Sequence, residues 1–210
     1  MGNKFSEYYK RKDVTSTYES QREGSDYRKH KRYIELGVIL EFLDKKPKDK
    51  LLEIGCSSGF LTKHLGKVTA IDTSGGMIKI ARRRNPEATI FLSDMFKLPS
   101  PFWEKRFDKV VTMRVFTHLD EKDLRKMLKN IKKVLKPKGI IIFDRELFSP
   151  LRTFVHFFYG RIFKIKGYKV YRYREEKIRK IIDEEGFDLI DTDYVKGRVG
   201  KQMFFKARKK

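Results

Sequence analysis

The chain has 210 residues, 40% of them hydrophobic and 13% aromatic, which is enough for one well-packed domain but too few for two full-sized ones. Its 50 Lys and Arg residues against 28 Asp and Glu give a formal net charge of +22, which would attract RNA or another polyanion but is also a composition found in heat-adapted proteins. One cysteine excludes an intramolecular disulfide and a cysteine-based metal cluster, and no apolar stretch is long enough to span a membrane, so we expect a soluble, cytoplasmic, metal-independent protein of one domain.

Along the chain, a polar leader at residues 1–28 precedes a predicted helix at 29–44. Short apolar runs then predict five buried strands, at residues 51–54, 68–72, 89–92, 109–113 and 140–144. Helical spacing between and after them predicts helices at 59–66, 75–84, 121–135 and 174–185. A final pair of antiparallel strands is predicted at 188–195 and 202–208.

This order predicts an α/β fold with a doubly wound, mostly parallel sheet of seven strands, an antiparallel C-terminal strand pair and helices on both faces. We expect one domain at residues 29–210, preceded by the leader as a lid segment. The aromatic and basic segment at about 147–173 is the expected insertion that caps the substrate.

The first predicted strand runs into a glycine-rich turn, LLEIGCSSGF. A triphosphate-binding loop would need Gly-Lys-Ser/Thr, but Phe60 follows Gly59, and the dinucleotide fingerprint matches only at its first position. What remains is an acid, Glu53, ahead of the small residues of the turn, with further acids at Asp72 and Asp94 after the next two strands. Glycines allow close approach of a ligand, and a strand-end carboxylate can accept the hydroxyls of a ribose.

Five motifs that include these acids occur in the order seen in class I S-adenosylmethionine-dependent methyltransferases, a family that residues 50–146 resemble. The motifs are LEIGCSSG, AIDTSGGMIKIAR, FLSDMFKLP, FDKVVTMRVFTHL and LKPKGIIIFDREL. The resemblance implies S-adenosyl-L-methionine as cofactor. It implies a cofactor site in three parts: a methionine end at Glu53, Gly55, Cys56, Ser57 and Gly59, closed by Thr112, Met113, Arg114 and Val115; a ribose site at Asp72 with Thr73 and Met77; and an adenine site at Asp94 and Met95. Ser57 stands where the family usually has its middle glycine.

Methyl transfer needs a nucleophile held in line behind the methyl group, and a base where the nucleophile is neutral. The predicted catalytic residues are His118, Asp144 and Glu146, and the predicted substrate residues are Tyr18, Arg22, Arg145, Phe154, Phe158, Tyr171, Arg172 and Tyr173. Nothing after the fourth strand resembles the loop used on exocyclic base amines, and the lone cysteine lies in the cofactor turn, which disfavours attack on pyrimidine carbon.

Three functions stay open at this point. The first is a methyltransferase acting on oxygen, nitrogen or carbon of a small-molecule or lipid-like acceptor. The second is a tRNA or rRNA methyltransferase that uses the strongly basic surface. The third is a non-catalytic module that binds the cofactor or RNA.

Overall fold

The computed structural model describes residues 8, 10–98, 105–148, 171–197 and 200–210. Its strands form one seven-stranded sheet in the order β3-β2-β1-β4-β5-β7-β6. The strands are β1 (Leu51–Ile54), β2 (Thr69–Asp72), β3 (Thr89–Leu92), β4 (Phe107–Thr112), β5 (Leu135–Glu146), β6 (Phe187–Gly197) and β7 (Gly200–Lys209). The first five are parallel, and β7 is antiparallel to both β5 and β6, which confirms the predicted fold class.

Six helices are described, and they cover both faces of this sheet. They are α1 (Lys12–Glu23), α2 (Asp26–Leu43), α3 (Phe60–Leu65), α4 (Gly75–Arg84), α5 (Glu121–Val134) and α6 (Glu175–Glu184). Apolar side chains of α5 and α6 join one large core cluster, and those of α2 and α3 join another. Neighbouring strand residues divide between the two clusters, as Val110 and Val111 do, because successive side chains of a strand point to opposite faces.

Two boundaries differ from the sequence prediction by three residues or more. Helix α2 begins at Asp26, three residues before the predicted start, because the side chain of Ser25 accepts a hydrogen bond from the backbone N–H of Arg28 and caps the helix. Strand β5 begins at Leu135 instead of residue 140, since Leu135 pairs with Phe107 before the register shifts. The predicted leader also contains a helix, α1.

Lysine side chains close the C-terminal ends of three helices. The Nζ of Lys109 donates to two carbonyls at the end of α2, at 2.7 Å each, and pairs with Asp49 at 2.7 Å. Lys45 donates to the last carbonyl of α3, and Lys209 donates to two carbonyls around the end of α5, at 2.6 and 2.8 Å. These carbonyls lack partners within their helices, so part of the positive charge stabilises the fold itself.

Candidate active site

A cleft opens at the carboxyl ends of β1, β2 and β4, the edge where doubly wound sheets bind ligands. It holds about 690 Å³ of empty space, counting its open mouth. Its wall contains Tyr18, Gly55, Ser57, Asp72, Thr73, Met77, Asp94, Met95, Met113, Arg114 and Val115, all of them predicted site residues. A neighbouring cavity of about 390 Å³ shares part of this wall and adds Arg32, Glu53, Cys56, Phe60 and Leu61. The fold therefore brings most of the predicted cofactor residues together, while Gly59 and Thr112 line neither cavity.

The turn after β1 uses backbone conformations with positive φ, which residues other than glycine adopt only with strain. Gly55 has φ +76°, and a Cβ there would strike the Val115 side chain. Gly59 has φ +86°, and a Cβ there would strike the Asn85 side chain. Ser57 has φ +50° although it carries a side chain, which costs about 1 kcal/mol. The turn is thus pressed against the loop after β4, and a ligand at Gly55 would meet bare backbone.

Asp72, the last residue of β2, and Asp94, which follows β3, accept hydrogen bonds from backbone N–H groups at the cleft. The Asp72 carboxylate accepts hydrogen bonds from the backbone N–H groups of Ser57, at 2.9 Å, and Ser74, at 2.8 Å. Burial raises the pKa of Asp72, and these backbone donors counteract part of the rise. A carboxylate has about four acceptor sites, so these two hydrogen bonds leave acceptor capacity for a ligand. The Asp94 side chain accepts from the N–H of Phe96 at 2.9 Å.

Glu53 is a buried carboxyl at the floor of the smaller cavity. Thr62 donates its hydroxyl to Glu53 Oε2 at 2.7 Å. Burial raises the pKa of Glu53 to about 8, and the nearby Asp72 carboxylate contributes to the rise. Burial likewise raises the pKa of the Cys56 thiol, so Cys56 stays a neutral thiol at physiological pH and is a poor nucleophile.

The loop after β4 is fixed by Arg114, which lines both cavities. Its backbone N–H donates to Asp144 at 2.5 Å, and its guanidinium binds Glu35, with Nε 2.8 Å from Oε2. Gln202 donates to the other oxygen of Asp144 at 2.6 Å, and burial, with the nearby Glu35 charge, raises the pKa of Asp144 to about 6. Glu35 and Arg32, both buried on α2, were missed by sequence reasoning, although charged residues on the apolar face of a predicted helix signal a buried partner.

Helix α1 packs against the cleft. Tyr18 lines both cavities, and Val14 is buried. Thr15 approaches Gly76 at the start of α4 so closely that a Cβ on the glycine would lie 2.9 Å from the threonine methyl. Arg22 belongs to the same helix, and its side chain lies outside the described part of the structure.

The other predicted catalytic residues lie near each other but outside the two cavities. His118 is buried in the short helical turn Phe116–His118 that follows β4. Glu146, at the end of β5, accepts a hydrogen bond from Arg172 Nε at 3.0 Å, and its own N–H donates to the hydroxyl of Thr117 at 2.9 Å. The predicted base and the predicted substrate cation therefore bind one another.

Arg145 anchors main chain and does not face the cleft. It is fully buried, and its guanidinium donates to the carbonyls of Phe116 at 2.7 Å, Leu119 at 2.8 Å and Tyr171 at 3.2 Å. The guanidinium lies 4.4 Å from the ring centre of Tyr173, and burial lowers the pKa of Arg145 to about 10. This geometry replaces the predicted substrate contact of Arg145 with a structural role. Two further predicted substrate residues lie outside the described part of the chain, Phe154 and Phe158.

Among the described residues, no helix combines the length and apolar character needed to cross a bilayer. The same residues contain no group of three or more His, Cys, Asp or Glu side chains arranged to hold a metal ion.

Comparisons with known proteins agree with this geometry. A family model described as a methyltransferase domain matches residues 52–143, the part of the chain from β1 to β5. Over 153 residues the chain is 30% identical to an uncharacterized methyltransferase of Oceanobacillus iheyensis, a match that covers 71% of this chain and 70% of that protein. Over 194 residues it is 26% identical to a demethylmenaquinone methyltransferase of Thermotoga maritima, with 79% of each chain covered.

A solved structure resembles the fold over nearly the whole chain. Magnesium protoporphyrin IX methyltransferase from Synechocystis PCC 6803, with bound SAH, superimposes with a TM-score of 0.78 at 18% identity, and the match covers 98% of both chains.

Proposed function

The chain belongs to the class I S-adenosylmethionine-dependent methyltransferases, and on that basis we propose that it methylates a small-molecule or lipid-like acceptor. Its cofactor is S-adenosyl-L-methionine. The observation that carries the proposal is the cleft itself, in which a turn that excludes a side chain at Gly55 lies between the buried carboxyl of Glu53 and the half-buried carboxyl of Asp72. The acceptor class is supported by the relative named a demethylmenaquinone methyltransferase, which the chain matches over 79% of its length.

The residues of the cleft fit the cofactor part by part. Asp72 keeps acceptor sites for the two ribose hydroxyls, and Asp94 is proposed to accept from the adenine amine. Met77 and Met95 supply apolar contacts for the adenosine part, since both line the cleft. The turn at Gly55 offers bare backbone to the methionine part.

We further propose that two arginines receive the carboxylate of the cofactor's methionine part. Arg32 and Arg114 both line the smaller cavity, and Glu53 lies on the same wall. An arginine pair beside one carboxyl suits a ligand part that carries both a carboxylate and an ammonium group.

The bound cofactor supplies an electrophilic methyl group on a sulfonium, so the protein's main task is to hold the acceptor in line and exclude water. Asp144 holds the backbone N–H of Arg114 and thereby fixes the loop after β4, which makes it a positioning residue. His118 and Glu146 remain the proposed bases, which would take a proton from a substrate whose methyl-accepting atom is neutral. The leader at residues 1–28, which contains helix α1, is the proposed lid, and its Tyr18 lines both cavities.

Parallel calorimetric titrations with S-adenosylmethionine, S-adenosylhomocysteine and NAD test the cofactor site. We expect the first two to bind and NAD to give no heat, and Asp72→Asn to weaken both. The acceptor is then tested with methyl-labelled cofactor and a reduced demethylmenaquinone in detergent. Labelled quinone supports the proposal, whereas label that appears only in added bulk RNA contradicts it.

Methylation of RNA is a second candidate, favoured by the formal net charge of +22. The same labelling experiment separates the two, because digestion of labelled RNA would release a methylated nucleoside.

A further inference from the structure

Three aromatic side chains form a row on the surface between α2 and α3. The Tyr33 and Phe60 rings meet edge to face with centroids 5.6 Å apart, and Phe60 meets His64 in the same way at 5.6 Å. The Arg32 guanidinium lies 3.6 Å from the centre of the Phe60 ring and fixes the middle of the row. Tyr33 is 48% exposed, a large exposure for an aromatic residue in the middle of a helix.

Exposed lysines flank this row. Lys29 lies four residues before Tyr33 and Lys63 lies three residues after Phe60, and side chains at these spacings are neighbours on a helix surface. Helix α3 contains no acidic residue, and burial lowers the pKa of His64, which keeps its imidazole neutral. These five residues, Lys29, Tyr33, Phe60, Lys63 and His64, are called the aromatic–lysine surface below.

We propose that the aromatic–lysine surface binds single-stranded nucleic acid. Unpaired bases stack on exposed aromatic rings, and lysines beside the rings neutralise the phosphates that connect those bases. A base-paired duplex hides its base faces from such rings. An anionic membrane is the poorer match, because stable interfacial binding needs a broad aliphatic face, whereas the members of this surface are rings and lysines. Phe60 and Arg32 also line the smaller cavity, whereas Tyr33, Lys29 and Lys63 line neither cavity, so the surface adjoins the cofactor site and its outer members can be changed independently of it.

The test is fluorescence anisotropy with a labelled oligouridylate and a labelled oligodeoxythymidylate over a range of salt concentrations. Tyr33→Ala is expected to weaken binding about fivefold or more, and Tyr33→Phe to retain it, because stacking needs the ring and not the hydroxyl. The double variant Lys29→Glu/Lys63→Glu is expected to lower the slope of log affinity against log salt by about 1.4, or about 0.7 for each phosphate that a lysine no longer neutralises. Tighter binding of the uridylate would identify RNA, and equal binding would identify single strands in general.

A matched control separates this surface from the overall field of the protein. Lys129→Glu/Lys180→Glu changes the net charge equally, on exposed lysines of α5 and α6 across the sheet. An equal loss of affinity in the control overturns the proposal, as does an unchanged affinity in Tyr33→Ala. Binding to phosphatidylglycerol vesicles without binding to either oligonucleotide also overturns it. None of the four substituted lysines, nor Tyr33, lines the cavities, so every variant should keep wild-type cofactor affinity as proof of folding.

Discussion

Binding of the cofactor should release a proton from Glu53. Burial raises the pKa of this carboxyl to about 8, so at pH 7 about 0.9 of the molecules carry the proton. The methionine part of the cofactor carries a net positive charge, so in the smaller cavity it favours the ionised form of Glu53 and lowers the pKa of that side chain. Nearly one proton should therefore leave for each cofactor bound. Calorimetric titration at pH 7 in phosphate and in Tris measures this number, because the buffer takes up each released proton and adds its own heat of protonation to the observed heat.

The Glu53→Gln variant is the matched control, since it keeps the shape and an acceptor for Thr62 but cannot titrate. Equal binding heats in both buffers for the wild-type protein would refute the reasoning. S-adenosylhomocysteine adds a distinction: it lacks the sulfonium but keeps the ammonium group, so undiminished proton release with it would place the ammonium group next to Glu53.

The same pKa sets a pH dependence of stability without cofactor. Because the folded-state pKa of Glu53 lies above its ordinary value of 4.5, the folded protein holds a proton that the unfolded chain has lost. The free energy of unfolding should therefore fall as pH rises from about 4.5 to about 8 and then level off, as far as this group is concerned. Urea unfolding of Glu53→Gln should lack this part of the pH dependence.

Three further outcomes are expected. Asp72→Ala should weaken cofactor binding about tenfold or more in calorimetry, because charged hydrogen bonds contribute roughly 1.5 to 3 kcal/mol; a loss under twofold would contradict the ribose assignment. Gly55→Ala should lower the melting temperature through its positive φ and the collision with Val115, and Val115→Ala in the same chain should recover part of the loss. Glu35→Gln should cost about 1 to 3 kcal/mol in urea unfolding, because the partly buried Arg114 then loses its charged hydrogen-bond partner, and an unchanged midpoint would show that this pair is not stabilising.

The sequence predicted the frame of the molecule because its signals are local. Each parallel strand is a short apolar run, and the acids at Glu53, Asp72 and Asp94 lie within, end or closely follow such runs. Parallel strands place their carboxyl ends at one edge, so residues far apart in the chain could be assigned to one cleft before any contact was known.

What the sequence could not predict are contacts between distant segments. Glu35 reaches Arg114 across 79 residues, and no local pattern connects them. Arg145 sits in an acidic and basic run at a strand end, which is typical of solvated surface, yet it is fully buried among carbonyls that only the folded chain brings together. The predicted start of β5 was wrong for a similar reason, since the pairing of Leu135 with Phe107 extends β5 beyond its apolar run.

The contacts around Arg145 also make a natural junction for loop exchange. The chain departs at Leu147 and Phe148 and returns at Tyr173, where Leu147 forms a bridge with Tyr173 and the N–H of Phe148 donates to the Tyr173 carbonyl at 3.0 Å. These contacts hold the two ends side by side, so we expect a replacement segment that spans the same gap to leave the sheet unchanged. The residues between these ends, 149–170, belong to the substrate cap predicted from the sequence and lie outside the described part of the chain, and exchanging them for the matching segment of another methyltransferase would test whether they select the acceptor.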